Sequence, residues 1–203
     1  MNEVYSLAKE LKAVFGWHQA RILLLAQFML ALIQARTTNL ALVAQFFHGE
    51  AQSSSHYKRL QRFLRGFEID YDQYAQVVSR WFCPKEKWVL TLDRTNWEFG
   101  SIKINFLVLA VAHQGIAIPL FWRLLPKKGN SSTQERIELI ERFLVRFSHN
   151  RVAYLTADRE FRGGDWLKFL VRKKYLFAFA YRTIPRCITN IRIRKYRYHV
   201  YLV

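Results

Sequence analysis

VLTLDRTNWEFG (89–100) and YLTADREFRGGDW (154–166) share one short string, Leu-Thr-x-Asp-Arg, at 90–94 and again at 155–159. Each copy ends a short apolar run, KWVLTLD (87–93) and VAYLTAD (152–158), of the length and composition of a strand. Strand alternation puts each Asp on the same face as the Thr two residues before it. Asp93 and Asp158 are therefore expected where their strands leave a sheet, the edge at which α/β sheets place their sites.

The surrounding sequence supplies the rest of that sheet. INFLVLAVAH (104–113) and IAIPLFWRLL (116–125) read as two strands joined by a hairpin turn at Gln114 and Gly115. After the loop PKKGNSSTQ, Ser131, Ser132 or Thr133 offers a cap for a helix through Phe147. A further helix is expected from Gly163 to Lys174. Strand, hairpin, helix, strand, helix, strand is an α/β (α+β) pattern with a mixed sheet.

The residues before Pro84 read as helices. Leu24, Phe28 and Leu32 recur at helical spacing within 21–34, and Thr37, Thr38 and Asn39 offer caps for a second helix over 40–47. Ser53, Ser54 and Ser55 read as a cap for HYKRLQRFLRGF, which ends at Gly66; a fourth helix is expected from Tyr71 to Phe82. The expected domains are 1–84, helical; 85–175, a mixed-sheet domain; and 176–203, a basic tail.

Composition narrows the function. The 203 residues are 51% hydrophobic, which excludes wholesale disorder, and 32 Lys and Arg against 15 Asp and Glu give a net charge of +17. That charge points to a polyanion, nucleic acid or an anionic membrane surface. The longest apolar stretch, Ile22 to Ala35, is interrupted by Gln27 and Gln34 and is too short for a membrane span. Cys83 and Cys187 cannot make a disulfide framework, which fits a reducing, cytoplasmic setting. The nucleic-acid reading therefore leads, with no membrane partner expected.

Two carboxylates at a sheet edge suit Mg²⁺ or Mn²⁺, hard cations that leave coordination positions for phosphate and water. Phosphodiester chemistry by two metals needs such a cluster. Either Asp taken alone reads first as a turn or cap former; the matched pair in a basic chain favours the metal reading. Lys58, Arg59, Arg62 and Arg65 are candidates for DNA phosphate or groove contacts. Arg94 and Arg159 follow the two aspartates and are read either as phosphate contacts or as partners of nearby carboxylates. Trp17, Trp81, Trp88, Trp97 and Trp166 are read as core aromatics.

With their flanks, TLDRTNWEFG and LTADREFRGGDWLKFL resemble the paired aspartate motifs of DDE transposases of the IS-four type, the transposases of bacterial insertion sequences. The likeness covers roughly residues 10 to 175 and includes the stretch at 55–64, SHYKRLQRFL. It implies an RNase H-like fold, Asp93 and Asp158 as catalytic metal ligands, and Mg²⁺ or Mn²⁺ as cofactor. It also makes 1–84 a DNA-binding domain and 85–175 the front of the catalytic domain, and implies a transposable element whose double-stranded DNA ends are bound by a homodimer, then cut and joined to target DNA in the nucleoid.

One departure changes the expectation. DDE enzymes take a third carboxylate, a Glu on a downstream helix, whereas no Asp or Glu follows residue 175. A two-nucleotide frame slip within 175–185 can be written so that an Ile-Arg-Ile strand continues, so the tail is expected to be out of frame. The chain then reads as a truncated, catalytically incomplete transposase that still binds DNA. The alternatives are a non-enzymatic DNA-binding fragment that inhibits the full enzyme, and an RNase H-fold nuclease that completes its site with Glu160. The basic excess does not depend on the tail: 176–203 holds six Lys and Arg, and the rest keeps +11.

Overall fold

The structure, a computed structural model, describes residues 2–66, 68–161, 163–175, 177–180 and 199–201. It divides into two compact units between Gln73 and Tyr74.

The first unit is helical: α1 (Asn2–Val14), α2 (Gln19–Ala35), the short α3 (Leu40–Val43) with a 3-10 turn after it, and α4 (Ser53–Gly66). His18 caps α2 by accepting from the Ala20 N–H, and Asn39 caps α3 by accepting from that of Ala41. Ser53, Ser54 and Ser55 do not precede α4 but form its first turn. Leu24 and Ala31 of α2, Val43 and Ala44, Phe47, and Leu60 of α4 make one buried cluster. Among the described residues no single helix is long and apolar enough to cross a membrane, and α2 with the segment after it qualifies only as a pair bent by 105°.

Helix α5 (Tyr71–Phe82) leads into the second unit. The division comes earlier than the expected boundary at 84 because Ala75, Val78 and Cys83 pack into the second unit's core. Strands β1 (Trp88–Phe99), β2 (Ile102–His113) and β3 (Ile116–Leu125) form an antiparallel meander. Helix α6 (Thr133–Arg146) crosses to β4 (Val152–Asp158), and α7 (Gly164–Arg172) crosses to β5 (Phe177–Ala180). β4 runs parallel to β1 and β5 parallel to β4, while β6 (His199–Tyr201) closes antiparallel on β5. The sheet order is β3-β2-β1-β4-β5-β6. Of the basic tail, 177–180 and 199–201 are thus strand; the remainder, with Cys187, lies outside the described residues.

Local chemistry explains most of these boundaries. Gln114 and Gly115 both have positive φ (49° and 84°), as a two-residue hairpin turn of the primed type requires. Ser132 and Glu135 form a reciprocal capping box at the start of α6. β1 runs six residues past the expected end at 93, because Thr95 and Trp97 continue the strand alternation and the turn waits for Gly100 at φ 60°. Leu90, Leu92, Leu155 and Ala157 face the helices, where Ile140 and Phe143 of α6 and Trp166 and Phe169 of α7 cover them.

Phe143 is fully buried and meets the rings of Trp88, Phe121 and Phe147. Truncating Phe143→Ala leaves a cavity under the sheet and is expected to cost about 3–5 kcal/mol, read as a lower urea midpoint with an unchanged slope.

Candidate active site

The repeated string aligns with itself across the sheet. Leu90 pairs with Leu155, Thr91 with Thr156 and Leu92 with Ala157 in parallel register, so the next pair of positions is Asp93 and Asp158. This register depends on an irregularity at Trp88/Val89: Trp88 opposes Val152, whereas Val89 opposes Tyr154, and Ala153 is the extra residue. Without that bulge, Asp158 would oppose Arg94, on the helix-covered face. With it, both aspartates fall on the face that α6 and α7 leave open, beside Thr91 and Thr156, and both are exposed. Neighbouring strands lie about 4.8 Å apart, so the two carboxylates are adjacent.

Asp93 does not end its strand, contrary to expectation. It stands instead where β1 loses β4 as a neighbour, while β1 continues to Phe99 against β2. Asp93 Oδ1 accepts a hydrogen bond from the Arg94 N–H at 2.7 Å.

Arg94 lies on the opposite, helix-covered face. Its Nε donates to Glu160 Oε1 at 3.1 Å, its Nη2 to Glu160 Oε2 at 3.2 Å, and its Nη1 to Asn96 Oδ1 at 2.9 Å. The fork is mostly shielded from solvent. Of the two sequence alternatives for Arg94, the geometry realises the carboxylate partner, and the hydrogen bond to Glu160 raises the Arg94 pKa further. Arg136 of α6 backs this pair: buried over the Phe161 ring, it donates to Ser131 Oγ at 2.9 Å. Burial lowers the Arg136 pKa, and the charges of Glu160 and Glu135 oppose that shift. The Arg159 side chain lies outside the described residues.

Glu160 is therefore held away from the aspartates by both of its oxygens. Among the described residues, no three His, Cys, Asp or Glu side chains come together as a metal site.

Trp88 and Trp166 are core residues, as expected of them, and Trp17 and Trp81 are half-buried. Trp97 is not: it is 63% exposed, two pleats beyond Asp93 on the same strand face, and edge-on to Phe106. β1 has already outrun β4 at this level, so the ring has β2 for company on one side only.

In the first unit, Lys58, Arg59, Arg62 and Arg65 are all exposed on α4. At 3.6 residues per turn they span an arc of about 120°, opposite the buried His56 and Leu60. α4 has no acidic residue, and among the described residues none of the four is in an ion pair.

The chain matches no protein-family model and no curated protein.

The Arg94–Glu160 fork links the two motifs just beyond their last strand pair, so each side chain is expected to stabilise the other. A double-mutant cycle with Arg94→Ala and Glu160→Gln, followed by urea unfolding, should give a coupling of about 1–3 kcal/mol. Independent effects would mean that the fork does not hold in solution.

Proposed function

We propose that this chain is a DNA-processing protein of the DDE transposase type, with a helical DNA-binding unit and an RNase H-like unit whose Asp93 and Asp158 hold Mg²⁺ or Mn²⁺. The observation that carries this reading is the register of the two Leu-Thr-x-Asp-Arg strings, which sets both aspartates side by side on one open sheet face. The strand order β3-β2-β1-β4-β5, with β2 alone reversed within β2-β1-β4-β5, supports the RNase H-like assignment. The net charge of +17 and the acid-free basic face of α4 support DNA as the substrate, met in the cytoplasm.

The donor set fits a hard divalent cation. Two like charges at neighbouring strand positions repel each other, a repulsion that a cation between them relieves, and carboxylate oxygens are what Mg²⁺ selects. Such a cation, when bound, neutralises charge on the phosphodiester and activates the attacking hydroxyl. Asp93 and Asp158 hold it; Thr91 and Thr156 give the pair a polar border on the same face. The helix-covered face is packed with Leu92, Ala157 and Phe161, so any further ligand reaches the aspartates across the open face. Glu160 is not that ligand, since Arg94 takes both of its oxygens.

A second reading is a protein that occupies DNA ends without cutting them. The observation favouring it is that the aspartate pair has no third carboxylate, His or Cys ligand among the described residues. One assay separates the two. On the first reading, supercoiled plasmid incubated with Mn²⁺ is nicked slowly by the wild type, as befits a site with two carboxylates, and left intact by Asp93→Ala and Asp158→Ala. All three proteins should shift the same DNA in a gel. Binding without nicking selects the second reading, and nicking that survives both changes removes the aspartates from the chemistry.

A further inference from the structure

Asp93 and Asp158 stand where the pairing of their two strands has just ended. The last β1–β4 pair is Leu92 with Ala157, and each aspartate is the next residue in its strand. On its outer side each keeps a backbone neighbour, Val108 of β2 for Asp93 and Ala180 of β5 for Asp158. Among the described residues, no β1–β4 strand pair lies beyond Leu92 and Ala157 to fix the spacing of the aspartates. Two adjacent carboxylates repel each other, so at this level their charge works to spread the strands.

Arg94 is attached to both sides of that gap. Its backbone N–H donates to Asp93 Oδ1 at 2.7 Å. Its guanidinium donates to both oxygens of Glu160, two residues after Asp158, at 3.1 and 3.2 Å. A third bond, from Nη1 to Asn96 Oδ1 at 2.9 Å, restrains the same group. Phe161 follows Glu160 and is fully buried in the core, which anchors the far end. With side chains only 14% and 26% exposed, the fork is screened less than a surface ion pair.

We propose that Arg94 and Glu160 are positioning residues for a divalent cation: acting from the back of the sheet, their fork holds Asp93 and Asp158 at the spacing the ion requires. The inference rests on the metal reading above and adds to it the two residues that set the affinity of the site. Mg²⁺ accepts little departure from octahedral geometry, so the spacing of its ligands is reflected in its affinity. Partners that orient ligands from outside the coordination shell change metal affinity about 10–100-fold.

The sign of the effect separates position from charge. Arg94 brings a cation close to the aspartates, so by charge alone its removal strengthens the binding of a divalent ion. By position, its removal weakens that binding.

The test titrates Mn²⁺ into the full chain and reads free Mn²⁺ by electron paramagnetic resonance, with Asp93→Ala giving the background from other sites. Arg94→Gln and Glu160→Gln are each expected to weaken the Asp93-dependent binding about tenfold. Arg94→Lys keeps the charge but not the two parallel donors, and is expected to weaken it as well. It also carries the test if Arg94→Gln fails to fold, as judged by circular dichroism. Arg123→Gln removes a cation from an exposed ion pair with Glu138 and should bind Mn²⁺ like the wild type.

If Arg94→Gln, or Arg94→Lys in its place, binds Mn²⁺ as tightly as the wild type or more so, the positioning role is overturned and the metal reading stands. A tenfold loss in Arg123→Gln would make the effect one of net charge and overturn that role too. A wild type that binds no more Mn²⁺ than Asp93→Ala overturns the metal reading itself.

Discussion

The alignment of β1 with β4 is the constraint on which the second unit's candidate site depends. Side chains on a strand alternate faces, so a slip of one residue moves a whole set from one face to the other. At the start of the pair both Trp88 and Val152 face the helices; one residue later the bulge has advanced β4 by one position. The apolar sets Leu90, Leu92 and Leu155, Ala157 then meet on the covered face, and the polar sets end in Asp93 and Asp158 on the other. Core packing and site geometry are consequences of one register. Burial of Leu92 and Ala157 under α6 and α7 thereby fixes where two carboxylates stand.

The Arg94–Glu160 fork extends that control past the last strand pair. It ties the residue after the first aspartate to the second residue after the other one, on the side of the sheet away from both. Both side chains are largely withdrawn from solvent, so the pair works in a medium where charge-assisted hydrogen bonds are stronger than at an open surface. The two arms of the repeated string thus have separate tasks. Their aspartates share the open face, and the arginine of one string spends its charge on the neighbourhood of the other.

Much of this was legible in the sequence where short-range chemistry decides. The hairpin at Gln114 and Gly115, the Ser132 cap, the strand at 152–158 and the two matched aspartates all follow from local residue types. Long-range facts were not. Nothing in Ala153 marks it as the extra residue of a bulge, since it is a small apolar residue in an apolar run. Trp97 reads as core because large aromatics are usually buried; its exposure depends on where β4 stops, which lies sixty residues away in the chain. Glu160 is close in sequence to Asp158 and looks available, yet its partner is Arg94.

The overhang of β1 has a consequence for behaviour in concentrated solution. From Arg94 to Phe99 the strand has β2 on one side and, among the described residues, no strand on the other. An open backbone edge of this kind is a template for a strand from another molecule, and an exposed Trp97 beside it adds apolar attraction. The sequence places guards along the same stretch: Arg94 and Asn96 are bonded to each other, and Glu98 is paired with Lys103 across the hairpin. Their charge and engaged polar groups make addition of a further strand costly. The polar residues of the overhang therefore serve solubility, independently of anything the aspartates bind.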